Sequence, residues 1–142
     1  MNLKRAASFL VLALLVIARM QSLLGAADAV VRGHVVAPSG QPDTDRSLIF
    51  LTDDGQRLTL SGDEYSTSQL LDKRLKDRHW ELRGVAKADS AFDVLRLFTI
   101  KDGELFRVTY FCAICNIRSY NAGPCMCCQE ETELQELPIE EP

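Results

Sequence analysis

All five cysteines of this chain lie between Cys112 and Cys128, in the run Cys112-Ala113-Ile114-Cys115-Asn116-Ile117-Arg118-Ser119-Tyr120-Asn121-Ala122-Gly123-Pro124-Cys125-Met126-Cys127-Cys128. No other feature restricts the fold so sharply. Cysteines spread through a core serve packing, whereas cysteines crowded into one short, turn-rich segment are there for their sulfur. Two pairs share the same two-residue gap, Cys112 with Cys115 and Cys125 with Cys128, so the segment reads Cys-x2-Cys-x9-Cys-x2-Cys. Such a gap lets two thiolates on one tight turn reach a common tetrahedral ion. Asn121-Ala122-Gly123-Pro124 is turn chemistry suited to bringing the pairs together. The expected metal ligands are Cys112, Cys115, Cys125 and Cys128, with Cys127 an alternative ligand or a spare thiol.

Three uses of these sulfurs compete. A structural Zn2+ would fold a hairpin too short for a core of its own. In an oxidising compartment the cysteines would instead form disulfides, cross-hairpin bridges being less strained than bridges within a pair or between vicinal Cys127 and Cys128. A working site is the third use: a redox dithiol, a rubredoxin-like iron, or a carrier of a soft ion such as Cu(I), with Met126 at hand as a thioether. Arg118 is the only nearby cation, and Glu130 and Glu131 oppose it.

The compartment is read from the other end of the chain. Lys4 and Arg5 precede a stretch from Ala6 to Ala18 that is apolar but for Ser8, and Arg19 ends it. Small residues follow at Gly25, Ala26, Ala27 and Ala29, with Ala27-Asp28-Ala29 matching a cleavage pattern. Residues 1–29 therefore read as a secretory signal peptide, placing the mature protein in the periplasm or outside the cell. The apolar run falls short of the roughly 20 residues that span a bilayer; only by extending through Arg19 would it remain as a membrane anchor.

Charge narrows the partners. The formal net charge is −4, and the tail from Gln129 holds six glutamates and no base. Residues 30–128 hold 13 basic and 13 acidic residues and are neutral. Binding to nucleic acid needs clustered Lys and Arg, so none is expected. The run Lys73, Arg74, Lys76, Arg78 is interleaved with Asp72 and Asp77 and reads as a solvated helix face.

From Val30 the pattern is that of a small β-protein. Val31, Gly33, Val35 and Ala37 alternate with Arg32 and His34; 38–43 is a loop by composition. Residues 47–52 and 56–61 read as strands around an Asp53-Asp54-Gly55 turn. A helix is expected over 66–75, with Leu70, Leu71 and Leu75 on one face and Ser66 or Thr67 as its cap. Trp80 to Ala86, Phe92 to Lys101 and Glu104 to Phe111 are strands, the last two joined by Lys101-Asp102-Gly103. Three strands, a helix and two strands is the order of the OB-fold, a five-stranded Greek-key barrel. Gly33 fits the sharp bend of its first strand. The fold class expected is mainly β: a small OB-like barrel over 30–111 with one helix, a Cys-rich hairpin over 112–128 and an acidic tail over 129–142. That tail either stays disordered and solubilising, adds a short strand, or lies on a partner.

With Trp80-Glu81-Leu82-Arg83-Gly84 and Leu97-Phe98-Thr99-Ile100-Lys101-Asp102-Gly103, the body resembles small exported OB-fold proteins of bacteria. Tyr110 to Leu134 resembles a zinc-ribbon or rubredoxin-like pair of knuckles. The combination is similar to uncharacterised exported bacterial proteins with a cysteine-rich C-terminus, which implies an architecture and an address but no activity. One departure is visible. The glycine usual after each knuckle is replaced by Asn116 and Gln129, of which Asn tolerates a left-handed backbone more readily.

Other candidate sites are weaker. His34 and His79, the only histidines, are far apart in sequence and read as strand residues. Asp53 and Asp54 read as turn formers rather than calcium ligands. Of the aromatic platforms an OB barrel uses for single strands, the second and third strands offer Phe50 alone. No nucleophile elbow, phosphate loop or dinucleotide fingerprint is present. The function expected is a non-enzymatic binding or assembly module of the bacterial envelope, with a protein or small-molecule partner. The alternative is a periplasmic redox or soft-metal protein acting through the cysteines.

Overall fold

Gly33 is the residue at which the first strand changes neighbours. The structure, a computed structural model, describes residues 28–36 and 48–139. The expected leader and the 38–43 loop lie outside the described residues, except that Asp28 and Ala29 open the first strand. That strand, β1 (Asp28–Val36), pairs antiparallel with β2 (Leu48–Thr52) from Gly33 to Val36. From Asp28 to Gly33 it pairs antiparallel with β4 (His79–Ala86). Gly33 is thus opposite both Thr52 and Trp80. A Cβ here would sit 2.0 Å from the Leu51 carbonyl oxygen, so only glycine lets β2 come this close.

The remaining pairings return to their start. β2 turns at Gly55 (φ 87°) into β3 (Arg57–Gly62), which pairs back on it. β3 runs parallel to β5 (Ala91–Lys101), from Thr59 opposite Ala91 to Gly62 opposite Val94. β5 is antiparallel to β4, with a bulge between Arg83 and Gly84. The circuit is β1, β2, β3, β5, β4 and β1 again. Among the described residues the molecule is mainly β, largely antiparallel, with one α-helix. Inside the circuit sit Phe50, Leu60, Trp80, Leu82, Phe92 and Val94, each contributing about 1.5–3 kcal/mol by leaving water.

Between β3 and β4 the expected helix over 66–75 is shifted and divided. Helix α1 spans Glu64–Leu70, and a separate 3-10 turn spans Lys73–Leu75. Asp63, not Ser66 or Thr67, is the cap: its Oδ1 accepts from Ser66 N at 2.8 Å. Asp72 then starts the second piece by accepting from Arg74 N at 2.9 Å. Two caps nine residues apart each satisfy free amides, and they compete with one continuous helix. Leu70 and Leu75 are buried, but the break leaves Leu71 39% exposed.

Beyond β5, Asp102 (φ 51°) and Gly103 (φ 84°) form the tight turn into β6 (Glu104–Cys112). One edge of β6 pairs first with β5 and at its far end with β7 (Ile117–Ser119). The other edge is taken by β8 (Glu133–Pro138), from Phe106 opposite Pro138 to Phe111 opposite Glu133. The acidic tail is therefore a strand over these residues. Glu136 anchors it: Oε1 accepts from Thr99 Oγ1 at 2.7 Å and Arg78 Nε at 3.1 Å. Its Oε2 meets Lys101 Nζ at 2.7 Å and Arg78 Nη2 at 3.0 Å.

Candidate metal centre

β6 ends by carrying Cys112 into the interior, where its side chain is 1% exposed. The chain folds back through residues 113–116, and the Cys115 amide faces the Cys112 sulfur at 3.5 Å. Asn116 closes this turn with φ 54° before β7 begins. The second turn repeats the shape. Gln129 closes it with φ 63°, donating its amide to Cys125 O at 2.9 Å, while Cys125 N donates to Glu130 O at 2.8 Å. Both residues that stand where a knuckle carries glycine thus take the left-handed backbone that such a turn requires.

The consequence is a quartet. The sulfurs of Cys112, Cys115, Cys125 and Cys128 all lie within 4.8 Å of one another. Cys112 and Cys128 are 3.5 Å apart, sulfur to sulfur, close to the edge of about 3.8 Å that a tetrahedron with Zn–S bonds of about 2.3 Å would have. All five cysteines are free thiols, and Cys127 is exposed and outside the quartet. The amides of Cys128 and Cys127 point at the Cys125 sulfur and pull its pKa down to about 7. The thiols of Cys127 and then Cys128 push that of Cys115 up. For Cys128 the Glu130 amide pulls downward, but desolvation and the Cys112 thiol prevail and the pKa rises. One thiolate is favoured by the fold itself; a cation would offset the repulsion among the rest.

A polar network joins this hairpin to the strand circuit. The Tyr110 hydroxyl, at the buried end of β6, donates to Asp72 Oδ2 at 2.9 Å. Burial, then the Asp72 carboxylate, push the Tyr110 pKa upward, so the phenol stays a donor. Arg74 holds Asp72 with two nitrogens, lies over the Tyr110 ring, and donates to Thr132 O at 3.2 Å. Thr132 Oγ1 in turn donates to Gly123 O at 2.7 Å. From α1, Gln69 Nε2 donates to Tyr120 O at 2.7 Å. Beside this contact α1, β5 and β6 border an open cleft of about 320 Å3, with Tyr65, Leu95 and Tyr120 exposed along it and Arg96 and Arg107 in its lining.

The four cysteines paired by sequence spacing are the four whose sulfurs the structure brings together, and Cys127 stands outside them. Met126, a thioether candidate by sequence, is 79% exposed. Arg118 lies over the Phe111 ring and donates to Gln135 Oε1 at 2.8 Å. Phe50 is wholly buried and presents no stacking face. Arg74 and Arg78 of the basic run are engaged by Asp72 and Glu136. The histidines were missed as a pair. His34 and His79 stack with ring centroids 4.9 Å apart, and Asp53 joins them. Only strand register unites these three, and no local motif announces it. In comparisons with family models, curated proteins and solved structures, nothing matches this chain.

Proposed function

We propose that this chain is an exported, non-enzymatic binding or assembly module of the bacterial envelope: an OB-like Greek-key barrel extended by a hairpin that a structural zinc ion holds together. The barrel reading is supported by the closed circuit of pairings, with its parallel seam between β3 and β5 and its helix between β3 and β4. The observation that carries the metal reading is the quartet: four sulfurs on two knuckle turns within 4.8 Å of one another. Thiolates in that number leave no open position for substrate, which favours a structural role. The binding face in this reading is the cleft beside α1, where exposed Tyr65, Leu95 and Tyr120 stand near Arg96 and Arg107. Aromatic and arginine side chains are the usual anchors of a protein partner.

Metal content with a free-thiol count, on mature protein isolated natively, tests the metal. Zinc equimolar with protein, and Cys127 as the single reactive thiol, is the expected result. Absence of metal with at most one free thiol would mean cross-hairpin disulfides instead. A second reading, soft-metal or redox work at the cysteines, is favoured by the exposed Cys127 thiol, which lies within hydrogen-bonding reach of Cys115. The two readings part at Cys127→Ser. A structural site leaves zinc retention unchanged, and a carrier loses rapid metal exchange while the fold persists.

A further inference from the structure

The register around Gly33 brings together three side chains of metal-ligating type, two from strands and one from the β2–β3 turn. Gly33 is opposite Thr52 on one side and Trp80 on the other. One step along each of the three segments stand His34, Asp53 and His79. Asp53 N is held by Arg32 O at 2.9 Å, which fixes the β2–β3 turn against β1. One ligand atom from each of the three residues lies within 4.8 Å of the others.

We propose that His34, Asp53 and His79 form a second metal site, for a borderline divalent transition ion of the zinc class, chemically distinct from the sulfur quartet. Imidazole and carboxylate together select such ions, whereas soft ions prefer thiolates. The orientation of His34 fits a ligand. Its Nδ1 meets the Arg78 carbonyl oxygen at 3.1 Å. A carbonyl only accepts, so Nδ1 is the donor in this contact, which leaves Nε2 as the nitrogen free to ligate. An imidazole whose other nitrogen donates to a backbone carbonyl is the common outer arrangement of a metal-bound histidine. His79 Nε2 faces the Asp53 carboxylate at 2.9 and 3.0 Å. An ion seated there takes the place of the proton between them, which passes to solvent or to the ring's other nitrogen. His34 and Asp53 are exposed and His79 half-buried, so water completes the coordination and entry is open.

The same three residues also make sense as an ion pair beside a stacked ring, and the experiment separates the two. The chain has only two histidines, so its imidazole spectrum contains both rings and no others. Full-length protein, labelled with nitrogen-15 and already loaded with zinc at the quartet, is titrated with further Zn2+ while both imidazoles are followed by NMR. The expected result is a saturable second equivalent that shifts both rings and leaves the quartet's zinc bound. Asp53→Asn and His34→Ala, both at exposed positions, should each weaken that equivalent by about tenfold or more; His79→Gln serves as a third variant should either fail to fold. Rings that stay unmoved through a large excess of Zn2+ would overturn the site and leave an ion pair only. So would a second equivalent that binds the folded variants as tightly as the parent. Loss of the quartet's own zinc is read separately, as the first equivalent.

Discussion

Gln129 does what a glycine does elsewhere, at a price in strain that one substitution measures. Its φ of 63° puts a residue with a Cβ in the left-handed region, which is disfavoured by about 1–2 kcal/mol. Glycine removes that strain but adds freedom to the unfolded chain, worth about 0.4–1 kcal/mol in the other direction. Gln129→Gly should therefore stabilise the protein by between nothing and about 1.6 kcal/mol, read from denaturant midpoints at unchanged slope. Asn116→Gly should gain less, because Asn already tolerates its φ of 54°. A loss on Gln129→Gly would mean that the Gln129 side chain matters more than its backbone. At this scale the sequence was legible for the quartet, because ligand spacing is local chemistry. It was opaque for His34, Asp53 and His79, which become neighbours only through the two registers at Gly33.

Among the elements, β8 is anchored by one side chain, that of Glu136. Burial alone would raise the pKa of Glu136, but hydrogen bonds from Lys101, Thr99 and Arg78 and the Arg78 charge outweigh it and the pKa falls. A carboxyl whose folded pKa is depressed stabilises the fold above its ordinary range, and that contribution is lost as pH falls through the folded value. Glu81, held by Arg32 and Arg83, and Asp72, held by Arg74 and Tyr110, act in the same direction. Glu136→Gln should lower stability by about 1–3 kcal/mol at neutral pH, and its deficit relative to the parent should shrink on acidification below the ordinary carboxyl range. Parallel unfolding curves at two pH values check this, and a deficit independent of pH would remove Glu136 as the origin. The hairpin turns were legible because Asp-Gly pairs supply positive φ cheaply. The break in the helix was not, since Asp72 reads as one more polar residue until Tyr110, distant in sequence, is seen to hold it.

For the molecule as a whole, the strand circuit and the cysteine hairpin have separate means of staying folded. The circuit has an apolar interior around Phe50, Trp80 and Leu82. The hairpin has the quartet and the network through Asp72, Arg74 and Thr132. On the proposed metal reading, a strong chelator under reducing conditions should loosen residues 112–132 while the interior persists. The single tryptophan, Trp80, is 1% exposed and reports on that interior. Its emission should stay blue-shifted as amide exchange rises in the hairpin; a red shift concurrent with metal loss would make the two parts one cooperative unit. The order of strands was legible from alternation and turns. The seam between β3 and β5 was not readable residue by residue, because it joins segments separated by a helix and another strand.

The pairing of β8 along β6 also bears on how the chain behaves when it is cut. Proteolysis before Glu133 would strip one long edge of β6 and leave a row of unanswered amides and carbonyls from Phe106 to Phe111. Bare edges of this kind template the addition of strands from other molecules. A clipped chain would therefore be prone to self-association, and β8, by occupying that edge, guards the molecule against fibre growth.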